Sequence, residues 1–538
     1  MPRTGPQATP AYLLLLAIAS LAALTPRSAH ATLVVRGPYL QLGTPSSVIV
    51  RWRTSDSTST RLDWGTEPGS LIFSVADTTR AIEHEVALTG LEPATRYSYG
   101  VGDADGLLVQ DENCTFVTPP PAGTSQPVRA WVTGDSGQPG PIQDAVRDAF
   151  LTYTGARGAD LWLMLGDNAY DSGTDSNYQA GVFTPYAALL RKWVLWPTRG
   201  NHDALHSGAN SDYYDFFTLP NLGQAGGVPS ASEAYYSFDY ANVHFVCLDS
   251  EGSSRQPGSA MLTWLKADLT ATSQDWIITY WHHPPYTKGS HDSDSENQLV
   301  EMRQNVVPVL DSLGADLCLT GHSHSYERSF LLRQHYGTSG TLADSMKVDD
   351  RDGRRDGDGP YQKPSPPQTP FAGAVYVVAG SSSKIGGGSL NHPVMVSSQN
   401  VAGSLVLDVN GGVLDGRFLD RFGAVTDSFT ILKLGLTASP SGPAPASGFS
   451  IRGVAPRPSG GAVDIAYHLP RAGRVRVALY DAQGRRVAAL RPTDQPAGER
   501  RAHWNGRGAD GGRLVAGIYF AVVEFEGERR ATQVVLTP

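Results

Sequence analysis

Apolar and polar positions alternate along residues 32 to about 120. In SVIVRWRT the apolar set is Val48, Val50 and Trp52, and in RYSYGV it is Tyr97, Tyr99 and Val101. Side chains of a strand point to opposite faces in turn, so each run predicts a strand with one face against a core. From about 128 to 435 the pattern becomes short, continuously apolar runs that end in Gly-Asp, Gly-Asn or Gly-His. Between them lie stretches of helical period such as PIQDAVRDAFLTY, with Ile142, Val146, Phe150 and Leu151 on one face. That succession predicts an α/β layered core. Alternation returns after residue 450 in VDIAYHL, RVRVALYD and GIYFAVVEF, which predicts a terminal β-sandwich. TPPPAGTSQP at 118–127 and SPSGPAPASG at 439–448 are turn-rich or linker-like and separate the three patterns.

The first residues have another character. AYLLLLAIASLAAL at 11–24 follows Arg3 and precedes TPRSAHA, with Ala29 and Ala31 forming an A-x-A pattern. This predicts a secretory signal cleaved after Ala31, because 14 apolar residues fall short of the roughly 20 that span a bilayer. The expected organisation is a signal peptide at 1–31, a β-sandwich at 32–120, a catalytic domain at 121–435, a linker at 436–449 and a second β-sandwich at 450–538. The expected location is outside the cytoplasm: periplasmic, extracellular or on the cell surface.

Composition changes this picture in two places. Cys114, Cys247 and Cys318 are the whole cysteine complement, too few for a disulfide framework even in an exported chain, and Cys247 and Cys318 sit in apolar strand-like runs as small buried thiols would. The formal net charge is −9, yet residues 450–538 hold 14 Arg, no Lys and 8 acidic residues. A basic terminal domain fits docking to an anionic cell surface, and the interspersed signs fit a solvated face equally well.

Five apolar runs of the central segment end in residues that bind metals. They are AWVTGDSG (Asp135), LWLMLGDNAY (Asp167, Tyr170), VLWPTRGNHD (Asn201, His202), DWIITYWHHPPY (His282, His283) and ADLCLTGHSH (His322, His324). Ligands of open α/β sheets bind beyond the carboxyl ends of the strands, so five such ends would meet at one cleft. Any one motif carries little weight; five in this order predict a metal centre.

The series GDSG, GDNAY, GNHD, HHPPY and GHSHSYER resembles the dimetal metallophosphoesterases and, within them, the purple acid phosphatases. LTGLEPATRYSY is similar to the tyrosine corner of a fibronectin type III domain, a module typical of the larger members. The resemblance implies a four-layer α/β core flanked by β-sandwiches. It implies one metal at Asp135, Asp167, Tyr170 and His324, and a second at Asp167 as the bridge with Asn201, His282 and His322. His202 and His291 match positions that contact phosphate and assist the leaving group, and His283 is expected behind the ligands.

The donor chemistry agrees with this partition. Carboxylates and a phenolate suit Fe(III), and imidazoles with an amide oxygen suit Zn, Mn or Fe(II). The first motif has Asp135-Ser-Gly137 where many dimetal phosphodiesterases have Asp-x-His, which leaves that metal short of an imidazole that Tyr170 can replace. Asp203 stands where the family often has Glu, a change that bears on orientation and not on ligation. The implied reaction is hydrolysis of phosphate monoesters by hydroxide generated on the metal pair, with a histidine as general acid. A phosphodiesterase or nucleotidase would use the same centre. A surface-binding protein with a structural metal site is the more distant alternative. A phosphorylated small molecule is the expected substrate, and specific nucleic-acid recognition is not expected.

Two further stretches carry less. VDDRDGRRDGDG at 348–359 lacks the regular spacing of a calcium loop and reads as a solvated insertion. YHLPRAGRVRVALYDAQGRRVAAL and HWNGRGADGGRLVAGIYF resemble the immunoglobulin-like modules of flagellar hook-capping proteins, which implies a role in export, sorting or attachment. His468 and His503 stand alone there, as structural histidines do.

Overall fold

The structure is a computed structural model and describes Met1, Gly5 and residues 32–435 and 449–537, apart from 68, 207, 209–210, 365–367, 456–458, 482–484, 510 and 527. The apolar stretch of the expected signal peptide and the SPSGPAPASG linker lie outside the described residues. Among the described residues no helix is long and apolar enough to cross a membrane.

The N-terminal β region is organised by one long strand, Ser47–Gly65. Its first half pairs with Val34–Thr44 and its second with Arg96–Asp103, while Phe73–Thr89 lines the other edge along both halves. Register shifts between Arg53 and Thr60 interrupt the ladder, and such irregularities bend a strand. The alternating sets Val48, Val50, Trp52 and Tyr97, Tyr99, Val101 are all at or below 5% exposure, as period two requires. Tyr97 Oη accepts the Glu92 N–H at 2.9 Å and closes the Leu-x-Pro corner. This region does not end at its own surface. Its buried residues are continuous with those of the central domain, and Tyr39 Oη and Tyr99 Oη donate to the carbonyls of Phe216 and Arg191, each at 3.0 Å.

Two seven-stranded mixed sheets form the centre. One runs Tyr361–Pro364, Val425–Leu434, Val413–Asp420, Gly403–Asn410, Val128–Thr133, Leu161–Met164, Val194–Pro197, with the last three parallel. The other runs Tyr236–Tyr240, Val243–Cys247, Trp276–Trp281, Leu317–Thr320, Val375–Ala379, Tyr326–Ser329, Met395–Gln399, with its four strands from Val243–Cys247 to Val375–Ala379 parallel. WIITYW shows why these runs are continuously apolar. Trp276, Ile278 and Tyr280 join the core shared with the first sheet, whereas Ile277 and Trp281 pack among residues of the helices Ala260–Ala271 and Val307–Ser312. A strand covered on both faces has no polar side to show. Cys247 and Cys318 are buried free thiols in these sheets.

The helix Pro141–Thr154 buries Gln143, Val146, Ala149 and Phe150, while Ile142 and Leu151 are only half-buried. Gln143 takes the inward place because its amide donates to the carbonyls of Ser136 and Gly181 at 2.6 and 2.7 Å. Beyond residue 449 two sheets share a separate core, with Val463, Ile465, Tyr467 and Leu469 from one and Val475, Val477, Leu479, Tyr519, Ala521, Val523 and Phe525 from the other.

Candidate metal centre

Every motif residue lies just past the carboxyl end of a parallel strand: Asp135 after Val128–Thr133, Asp167 and Tyr170 after Leu161–Met164, Asn201 and His202 after Val194–Pro197, His282 after Trp276–Trp281, and His322 and His324 after Leu317–Thr320. The turns that aim them inward are demanding. Asp135, Asp167 and His322 adopt left-handed φ of 54°, 53° and 65°, conformations that L-residues hold at a cost and that cluster at functional sites. The glycines of the motifs are required by close approach. A Cβ on Gly200 would lie 2.2 Å from Asp167 Oδ1, and one on Gly166, at φ 89°, would lie 2.5 Å from His282 Nδ1.

The side chains converge in two groups that share Asp167. In the oxygen-rich group, Tyr170 Oη lies 3.1 Å from Asp135 Oδ1, 2.9 Å from Asp167 Oδ2 and 3.3 Å from His324 Nε2. In the nitrogen-rich group, Asn201 Oδ1 lies 3.0 Å from both His282 Nε2 and His322 Nδ1, which are 3.2 Å apart, and Asp167 Oδ1 is 3.4 Å from His282 Nε2. Asp167 therefore turns one oxygen to each group.

The second group is made of acceptors facing acceptors. His282 donates its Nδ1–H to the Leu165 carbonyl at 2.8 Å, which leaves Nε2 of the neutral ring with a bare lone pair. Burial drives His322 down to about 4, against the pull of Glu296, so that ring is neutral. Burial alone would lower the His282 pKa as well, but the charges of Asp167 and Asp135 outweigh it and the net shift is upward, so this carboxylate-lined pocket draws positive charge to Nε2. Two imidazole nitrogens and an amide oxygen at one point need positive charge between them, a proton or a metal ion. In the first group, burial and then the charges of Asp135 and Asp167 push the Tyr170 hydroxyl far up, so the phenolate that a metal would require needs the metal itself for charge balance. The donor set fits two cations.

Two more histidines border the groups. His202 donates its Nδ1–H to the Asp171 carbonyl, which leaves Nε2 free at 3.9 Å from Asp167 Oδ2. The His291 ring stacks on His322 with centroids 3.7 Å apart and stands 6.3 Å from His324. The polar loop that carries it thus folds back over both groups. His283 packs against His322, with ring centroids 4.3 Å apart; its Nδ1 pairs with Ser250 Oγ at 2.9 Å, and burial, then the neighbouring His322 and His282, lower its pKa well below the usual imidazole range.

The calcineurin-like phosphoesterase family matches residues 128–326, and the purple acid phosphatase N-terminal domain matches residues 35–118. A purple acid phosphatase structure from yellow lupin (Lupinus luteus) shares the fold at TM-score 0.55 and 17% identity, covering 74% of this chain and 75% of that one. The architecture is that of a purple acid phosphatase-like metallophosphoesterase. Among curated relatives of this purple acid phosphatase-like chain, purple acid phosphatase 15 of Arabidopsis thaliana is 28% identical over 280 residues, which are 47% of this chain and 50% of the relative. Probable purple acid phosphatase 20 of the same plant is 26% identical over 310 residues, 54% of this chain and 68% of the relative. The chain thus spans about half the length of the first of these relatives. The structure of PhoD aligns at TM-score 0.54 and 14% identity, covering 76% of this chain and 92% of that one. Residues 458–528 match the FlgD Ig-like domain.

Several residues of the purple acid phosphatase-like site have no motif that announces them. Lys384 places Nζ 4.1 Å from the centroid of the Tyr170 ring, and the neighbouring Ser383 hydroxyl donates to the Asp135 carbonyl. Ser290 Oγ accepts the His324 N–H at 2.9 Å. Asp203, by contrast, closes the GNHD motif; it is fully buried and accepts from Gly200 N at 2.8 Å, Asn168 N at 3.1 Å and Tyr178 Oη at 2.7 Å. It clamps the GNHD turn to the GDNAY turn. Burial, followed by the charge of Asp167, raises its pKa to about 6. Glu296 lies against both His291 and His322.

Proposed function

We propose that the protein is a secreted, purple acid phosphatase-like hydrolase of phosphate monoesters. The observation that carries this reading is the two-part cluster that shares Asp167, with Asp135, Tyr170 and His324 on one side and Asn201, His282 and His322 on the other, and with two histidines at its border. The first set suits Fe(III) and the second Zn, Mn or Fe(II). Bound there, the cations would supply Lewis acidity that lowers the pKa of water and neutralises charge on the phosphoryl oxygens.

The chain's own residues do the rest. The Leu165 carbonyl fixes the His282 tautomer, and the His202 N–H holds Asp167 Oδ1 at 2.9 Å. Asp203 keeps the two turns in register. His202, with Nε2 free beside Asp167, contacts the phosphoryl group. His291 carries a proton to the leaving oxygen, a role typically worth about 10² to 10⁴ in rate. Burial of Asp135, His282 and Asn168 below 1% exposure keeps bulk water from screening these groups. Substrates with one ester bond and those with two could both reach such a centre, so side-by-side turnover of a monoester and a diester decides between phosphatase and phosphodiesterase or nucleotidase. A purely structural centre is disfavoured because it has no use for His202 and His291.

Metal analysis with a visible spectrum tests the reading. The holoprotein should contain two metals per chain and show a tyrosinate-to-Fe(III) band that vanishes in Tyr170→Phe. An unchanged spectrum in that variant refutes the ligand assignment, and holoprotein that hydrolyses no phosphate ester at any pH refutes the enzyme.

A further inference from the structure

The loop that follows HHPPY contains three acids close to His291: Asp292, Asp294 and Glu296. Two are committed elsewhere. Asp292 and Asp294 both pair with Lys288, and Asp294 also accepts the Ser339 N–H at 2.8 Å. Glu296 alone turns towards the centre. Its Oε2 lies 2.8 Å from His291 Nδ1 and 3.6 Å from His322 Nε2. Its Oε1 accepts the Asp292 N–H at 2.7 Å, and its own N–H donates to the Asp292 carbonyl at 3.2 Å, so the carboxylate is anchored at both ends of the turn.

One carboxylate oxygen therefore serves two stacked rings. His291 has a second constraint in that stack, with its plane 30° from that of His322. A hydrogen bond at Nδ1 and a face against a fixed ring leave an imidazole little rotational freedom. We infer that Glu296 is a positioning residue for proton delivery: it holds the Nδ1 proton of His291 and so reserves Nε2 for the leaving oxygen. The inference rests on the hydrolase reading above. When the bond from phosphorus to the leaving oxygen breaks, that oxygen takes the Nε2 proton of His291. The imidazolium thereby becomes a neutral ring that keeps its Nδ1–H and still donates it to Glu296, and solvent water returns the lost proton. Without Glu296 the imidazolium loses its carboxylate partner and the ring is free to turn away from the leaving oxygen, so delivery fails while binding persists.

Leaving-group dependence tests this. A nitrophenolate departs without a proton, whereas an alkoxide does not. In Glu296→Ala, kcat for an alkyl phosphate should fall about 10- to 100-fold. For p-nitrophenyl phosphate it should fall no more than about threefold, with KM and metal content unchanged. Glu296→Gln, which keeps the side chain's size and one acceptor oxygen, should show the same selectivity with a smaller loss. His291→Ala should show the selectivity at least as strongly, and adding Glu296→Ala to it should cost nothing further, because the two act as a unit. Equal losses on both esters, loss of a metal through His322, or additive effects in the double variant would overturn the inference. Wild-type protein that turned over neither ester would instead sink the hydrolase reading itself, so the two failures are distinguishable.

Discussion

The second central sheet carries a buried polar cluster at each end of its strands, and the two are built on opposite principles. At the amino end, His244 in Val243–Cys247 is fully buried, with Nδ1 2.8 Å from Asp239 Oδ1 and Nε2 2.9 Å from Asp268 Oδ2. The other oxygen of Asp268 accepts from Ser237 Oγ at 2.8 Å and Val228 N at 2.7 Å. Donors meet acceptors throughout. At the carboxyl end of the adjacent parallel strand, His282 Nε2, Asn201 Oδ1 and His322 Nδ1 meet with no donor among them when both rings are neutral. Both regions hold buried histidines and carboxylates, so burial and charge do not distinguish a structural cluster from a binding site. Whether the hydrogen-bonding valences close does.

The comparison is broken most forcefully by taking metals away. Because a ligand bound only to the folded state stabilises it by RT ln(1 + [L]/Kd), each site should contribute about 4 kcal/mol when free metal stands a thousandfold above Kd. Thermal unfolding in excess chelator should therefore show a midpoint many degrees below that of the metal-replete protein. An unchanged midpoint would mean that the acceptors at the carboxyl end are satisfied without cations.

Removing the histidine at the amino end should cost less and touch no metal. His244→Ala leaves Asp239 and Asp268 without their cation, a loss of about 3–5 kcal/mol when one partner of a buried pair is removed, measurable by chemical denaturation with metal content unaltered. The pair also has a pH signature. Burial lowers the His244 pKa, but the hydrogen bonds to Asp239 and Asp268 outweigh it and raise the pKa from 6.5 to about 9. A folded-state pKa above the unfolded one contributes stability fully below about pH 6.5, and that contribution is lost as pH rises through about 9. The amount is roughly 3 kcal/mol. Denaturation curves between pH 6 and 10 should show this decline in the wild type and lack it in His244→Ala. A parallel slope in both proteins would assign the dependence to other groups.

The contrast also explains what could be read in the sequence. The carboxyl-end cluster was legible because each candidate ligand sits one to a few residues past an apolar run, and Asp135, Asp167, Asn201 and His322 directly follow a glycine, two of which, Gly166 and Gly200, close approach demands. Those are local signals. The amino-end cluster was hidden: VHFVC reads as an apolar strand with one polar residue, and the partners of His244 lie on a neighbouring strand and a helix. Glu296 was hidden differently, among acids of the same loop that only the fold sorts into those facing Lys288 and the one facing His291. Alternation named the inward face of the N-terminal β region, since Val48, Val50, Trp52, Tyr97, Tyr99 and Val101 are all buried. It could not show that Ser47–Gly65 joins two pairings in one ladder, because period two does not specify a partner. Helical periodicity misplaced one face of Pro141–Thr154 because it gave Gln143 no inward role, although a side chain with two buried carbonyl partners belongs inside.

The smallest effect separates the two halves of the centre from one another. Asn201 is the only neutral oxygen donor in the nitrogen-rich group, while the oxygen-rich group does not use it. Asn201→Ala should weaken the nitrogen-rich site by about 10–100-fold, the scale on which altering a ligand's surroundings changes metal affinity. Asp167, His282 and His322 would remain to hold that metal when it is plentiful. Dialysis against a graded series of metal buffers should therefore remove one equivalent from the variant at concentrations that leave the wild type fully loaded, and the tyrosinate band of the other site should persist. Retention of both metals along the whole series would mean that Asn201 is not a ligand and that the convergence of its Oδ1 on two imidazoles serves only to fix the turn. Loss of both together would mean that the halves are not separable and that Asp167 alone couples them.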